Sequence, residues 1–78
     1  MISKSDTVRQ FVADKNYKKA LSIVKGFRLG IAKEDINKMR LAYECLIYPN
    51  FYEQLGTDTA TAITEGIQIL IDLYGSGD

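Results

Sequence analysis

The sequence has 78 residues, with ten Lys and Arg balanced by ten Asp and Glu, no His and a single Cys. A chain of this size makes one domain, near the lower limit at which an apolar core suffices without a disulfide, a metal or a second subunit. Cys45 alone excludes an internal disulfide, and a zinc set without His is poor chemistry, so neither metal nor cofactor is expected and self-association is the remaining support.

No run approaches the roughly 20 apolar residues of a membrane span, and residues 1–6 hold no hydrophobic signal core, so a cytoplasmic protein without membrane contact is expected. The zero net charge hides a separation. Residues 1–29 carry seven cations against Asp6 and Asp14, whereas residues 30–78 carry Lys33, Lys38 and Arg40 against eight carboxylates. Such asymmetry draws together the two halves of one fold, or two protomers packed head to tail; a nucleic-acid face is the weaker reading.

The first helix is expected over 5–14, capped by Ser5 or Asp6, with Val8, Phe11 and Val12 at the i, i+3, i+4 spacing. A second is expected over 16–28. Asn16 is its cap, Tyr17, Ala20, Leu21, Val24 and Phe27 line one face, and Lys18, Lys19, Ser22 and Lys25 point away. The two form a hairpin. The phrase Asn16-Tyr17-Lys18-Lys19-Ala20-Leu21 resembles the start of the second helix of a tetratricopeptide repeat, where an aromatic residue and a small alanine let two helices approach closely. Lys4 stands where that family has its large aromatic, and no second copy follows about 34 residues later, so a repeat array is excluded.

Gly30 is the expected left-handed cap of the second helix, and the third follows over 32–48. Glu34 and Asp35 lie in its first turn, where the helix dipole favours negative charge, but Ala32 offers no side-chain cap. Its main apolar face is Ile36, Met39, Ala42, Tyr43, Leu46 and Ile47. Leu41, Cys45 and Tyr48 make a second stripe on nearly the opposite side. Either the two faces meet the N-terminal hairpin and the C-terminal helix, which is preferred, or the second stripe is a partner surface. Pro49 ends this helix, and a short turn over 50–55 follows, stopped by Gly56.

The last helix spans 58–74, capped by Thr57 or Asp58, with 75–78 as a tail. Its seam of Ile63, Ile67, Leu70 and Tyr74 is widened by Ile71 on one side and by Ala62, Gly66, Ile69 and Leu73 on the other. Only Thr61, Thr64, Glu65, Gln68 and Asp72 remain as a polar strip. One neighbour cannot cover such an arc; two helices, or a second copy, must. Gly66 costs about 1 kcal/mol relative to Ala inside a helix, which close approach by a neighbouring helix would offset. The predicted fold is therefore all-α: a small bundle of four main helices plus one short helical turn.

Catalytic residues are not expected. No side chain has an unperturbed pKa near neutrality, and Cys45 sits in an apolar, partly acidic setting that raises a thiol pKa. The candidate protein interface is Leu41, Cys45, Tyr48, Phe51 and Tyr52, with Ile69 and Leu73 from the last helix. The alternative is a nucleic-acid or anion site using Lys15, Lys18, Lys19, Lys25 and Arg28, the last two in the glycine turn Lys25-Gly26-Phe27-Arg28-Leu29-Gly30, where a nucleotide phosphate would sit. Glu34 and Asp35 occupy the dipole that a phosphate would use, which weakens that alternative.

The same turn, followed by Lys33-Glu34, Ala42-Tyr43-Glu44-Cys45, Pro49, Phe51-Tyr52 and Gln54-Leu55-Gly56, resembles a group of short uncharacterised proteins of Firmicutes and their phages or prophages. The likeness covers most of the chain. It implies a non-enzymatic cytoplasmic accessory protein of a mobile element, self-associating or bound to a host or phage protein, with nucleic acid as the less favoured partner.

Overall fold

The computed structural model describes residues 3–27 and 30–75. Its helices are α1 (Lys4–Ala13), α2 (Tyr17–Val24), α3 (Lys33–Ile47), α4 (Pro49–Gln54) and α5 (Thr59–Tyr74). The fold is a small all-α bundle of four main helices plus the short turn α4.

Local chemistry sets the boundaries. The cap of α1 is Ser3, whose Oγ accepts the Asp6 amide at 3.1 Å, rather than Ser5 or Asp6; that choice leaves Asp6 in the first turn, where the dipole favours it. Lys15 then adopts φ 61°, and the Lys15 and Asn16 amides donate to the Val12 and Phe11 carbonyls at 3.0 and 2.8 Å. This is a Schellman stop with lysine in the left-handed position usually held by glycine. Lys15→Gly should therefore raise the denaturant midpoint, by about 1 kcal/mol of stability; a lower midpoint would contradict this reading of the turn.

Asn16 caps α2 as expected, accepting the Lys19 amide. The helix stops at Val24 instead of continuing to 28. The Gly26 and Phe27 amides turn to the Ile23 and Val24 carbonyls, which tightens the chain at a poor helix former. Gly30 is left-handed, φ 82°, but lies beyond the helix end and so reverses the loop instead of capping α2. Arg28 and Leu29 lie outside the described residues, as does the expected tail after Gly75.

Tyr48, at φ −127° before Pro49, closes α3 and opens α4, whose first residue needs no amide hydrogen. Gly56, φ 86°, completes a second Schellman stop, with its amide and that of Thr57 bonded to Glu53 and Tyr52. Asp58 caps α5 by accepting the Thr61 amide and hydroxyl at 3.2 and 2.8 Å, and these bonds hold its carboxyl below the ordinary range.

The core joins Val8 and Val12 of α1, Ala20, Leu21 and Val24 of α2, Ile36, Met39 and Ala42 of α3, and Leu70 of α5. The main pair is α5 against α3. A Cβ built on Gly66 would overlap the Ala42 Cβ and lie 3.1 Å from the Lys38 carbonyl oxygen, so the missing side chain is what lets the two backbones meet. The α1–α2 hairpin covers α3 and the end of α5, where the Tyr74 ring meets Phe27 edge-on at 6.5 Å and Arg9 lies over it. The result is elongated, 42 × 24 × 20 Å.

Along α5 the polar strip Thr61, Thr64, Glu65, Gln68 and Asp72 is exposed, as the periodicity requires. The apolar arc is only partly covered. Gly66 and Leu70 are buried, whereas Ala62, Ile63, Ile67, Ile69, Ile71 and Tyr74 are half-buried and Leu73 is 37% exposed. Two neighbours touch the arc, and neither spans its whole length. Among the described residues the one ion pair is local, Arg9 to Asp6 at 3.2 Å, and none of these residues forms a contact pair between the basic and the acidic half.

Candidate interaction surface

The second stripe of α3 is where the candidate residues begin to separate. Cys45 is wholly buried, although it lies outside the contiguous core, and burial reinforced by the Glu44 charge pushes its thiol pKa up. It is therefore not available to a partner. Leu41 is half-buried. The preferred reading of α3 as a central helix with two packed faces accounts for both, and only Tyr48, at the C-terminal end of the stripe, emerges.

Tyr48 is 61% exposed, Phe51 56% and Leu55 64%; Phe51 lies within α4, and Tyr48 and Leu55 are its two cap residues. Four features fix this turn: Pro49 at the first position, the Gly56 stop, an edge-on contact of Phe51 with Tyr52 at 5.1 Å, and the Tyr52 hydroxyl donating to the Glu44 carboxylate. The bond to Glu44, with partial burial and the nearby negative charge, raises the Tyr52 pKa above its ordinary value. Tyr52 thus acts as a brace from α3 to α4, and Phe51 is the side chain it presents. Leu55 belongs to the surface although the sequence does not single it out; its i, i+4 spacing from Phe51 is the available signal, masked by the adjacent stop at Gly56.

Ile69 and Leu73 do not join this surface. They lie three and seven residues beyond Gly66, on the side of α5 that faces α3, and Leu73 is near the Tyr74 end, a helix length from α4. The candidate set is thus divided between the two ends of the molecule.

The basic residues are also divided. Lys15 is exposed at the Schellman position and Lys18 on the outer face of α2, but the Lys19 ammonium lies 5.8 Å from the centre of the Phe11 ring and that of Lys25 5.3 Å from Tyr43. Two of the four cations are folded back onto their own aromatic residues. Arg28 falls outside the described residues. Among the described residues no atom comes within 4 Å of a Cβ built on Gly30, so its left-handed backbone, and not close packing within the chain, is what requires glycine there.

Grooves indent the surface formed by the described residues. One, of about 540 Å³, lies between α1, the start of α2 and the end of α5, with Arg9, Lys15, Tyr17 and Tyr74 around it and Asp6 paired to Arg9 at its edge. Another, of about 350 Å³, has Phe27, Ile31 and Ile36 as its apolar lining and Lys33, Asn37 and Arg40 along one edge. Among the described residues no three Cys, Asp or Glu side chains come together as a metal set, and no helix is long and apolar enough to cross a membrane. Comparisons of the chain with protein-family models, with curated proteins and with solved structures give no match.

Proposed function

We propose that the chain is a non-enzymatic interaction module that associates with copies of itself through the exposed end formed by Tyr48, Phe51 and Leu55. The observation that carries this reading is the grouping of three exposed large apolar side chains on a turn held by Pro49, Gly56 and the Tyr52–Glu44 bond. Large apolar side chains grouped on a surface and fixed before contact lose little further freedom on binding, and aromatic anchors of this kind dominate contact energies. The half-covered arc of α5 and the small size of the domain point the same way, since a second copy removes more apolar area from water. A chain without His, whose thiol is buried and protonated, has little with which to move protons at neutral pH. The resemblance to small proteins of Firmicutes and their phages adds a setting, an accessory role for a mobile element in the host cytoplasm.

The test is the double variant Phe51→Ser with Leu55→Ser. Size-exclusion chromatography should show wild type eluting as an assembly that dissociates on dilution, and the variant eluting as a monomer with its helical signal intact. Elution of both as the same species would remove this reading. On a heparin column, retention that falls steeply with salt and disappears when Lys15, Lys18 and Lys19 are all changed to Ala would favour nucleic-acid binding instead.

A further inference from the structure

The two ends of the molecule differ in charge as well as in shape. After Arg40 the sequence has six carboxylates and no further Lys or Arg, and the charged residues that flank Phe51 and Leu55 along the chain, Glu44, Glu53 and Asp58, are all negative. Glu44 is held by Tyr52, while Glu53 and Asp58 are exposed. Two copies meeting through this end about a two-fold axis would set each Glu53 and Asp58 against its own kind, an arrangement that costs free energy.

The opposite end offers what this one lacks. The groove of about 350 Å³ is lined by Phe27, Ile31 and Ile36, and its edge is Lys33, Asn37 and Arg40, all exposed at the i, i+4, i+7 spacing of α3; among the described residues no carboxylate lines it. Arg40 is steadied by donating to the Lys25 carbonyl at 3.2 Å. The groove lies beside the first turns of α3, and α4 follows its last. The seven helical residues from Leu41 to Ile47, about 10 Å at 1.5 Å per residue, separate the Arg40 end of the groove from α4 within one copy.

The geometry points to head-to-tail assembly: Phe51 and Leu55 of one copy seat in the Phe27, Ile31 and Ile36 groove of the next, and Glu53 faces Lys33 and Arg40. This rests on the self-association proposed above and adds which surfaces meet. Because the two surfaces are different, every added copy leaves one of each free, and assembly continues into an open string unless the rotation closes a ring. Salt weakens it, because the charged edge is exposed to solvent.

Charge reversal tests the pairing. Glu53→Lys places a cation near the C-terminus of α4 and Lys33→Glu places an acid in the first turn of α3, both changes that the helix dipole tolerates, so circular dichroism should find each variant folded. In sedimentation velocity each variant alone should assemble roughly tenfold or more weakly than wild type, and an equimolar mixture of the two should regain assembly. A second mixture, Phe51→Ser with Leu55→Ser against Lys33→Glu with Arg40→Glu, retains one competent joint and should stop at a 1:1 pair. If wild type assembles but neither mixture does, the head-to-tail pairing is wrong and self-association stands. A wild type that is monomeric throughout removes both.

Discussion

Gly66→Leu should leave the chain largely unfolded at room temperature, while Gln68→Leu, two residues along the same helix, should melt within a few degrees of wild type. Both exchanges introduce leucine, so the helix propensity and hydrophobicity of the incoming residue do not distinguish them. The difference lies in what faces each position. At Gly66 even a Cβ overlaps that of Ala42, and the Lys38 carbonyl stands 3.1 Å away, so a leucine fits only if α5 moves off α3. Those two helices form the principal pair of the bundle, and separating them opens the core around Met39, Ala42 and Leu70. Overpacking a helix contact costs about 1–3 kcal/mol, and more where backbone must shift. A domain of this size has a total of only about 4–12 kcal/mol. Gln68 is exposed, and its bond to Asp72 is a surface contact that contributes little. The double variant Gly66→Ala with Ala42→Gly, which moves the methyl group from one helix to the other, should be more stable than Gly66→Ala alone. Additive losses would show that the two positions do not share one contact.

Leu70→Ala is the second large effect. Leu70 is the one apolar side chain of α5 fully enclosed within the core, so removing most of it leaves a cavity lined by α1, α2 and α3. Such truncations cost about 2–5 kcal/mol, or at least about ten degrees in melting temperature for a domain of this length. Leu73→Ala, at a side chain 37% exposed, should cost under about 1 kcal/mol. Thermal melts of the two variants at one low concentration check the ranking. Equal losses would mean that α5 is not anchored at Leu70.

Much of this arrangement is legible in the residue pattern because helical periodicity is a strong signal in a chain with little else to do. The polar strip of α5 can be read directly from the spacing of Thr61, Thr64, Glu65, Gln68 and Asp72. Gly66 is legible as well, because a glycine inside a good helix needs a tertiary reason. What periodicity does not reveal is the competition between neighbouring caps. Ser3, Ser5 and Asp6 can each begin a helix, and the outcome depends on which one leaves its neighbours favourably placed. Lys15 gives no sign of a left-handed turn, because tertiary docking of the α1–α2 hairpin imposes it on a residue that does not prefer it. The candidate surface was less legible than the fold. Cys45 and Tyr48 share a stripe in sequence, yet α3 buries one and presents the other, since the stripe runs off the end of the packed region. Ile69 and Leu73 share the apolar character of Phe51 but sit a helix length from it, a separation visible only once α5 is seen to lie back along α3.

The most direct test of the account is light scattering on the wild-type chain across a dilution series at low and high salt. An average mass that climbs past two copies of the 8.8 kDa chain with concentration, and falls back with salt, is the predicted result. A mass that stays at one copy at every concentration and salt would contradict it.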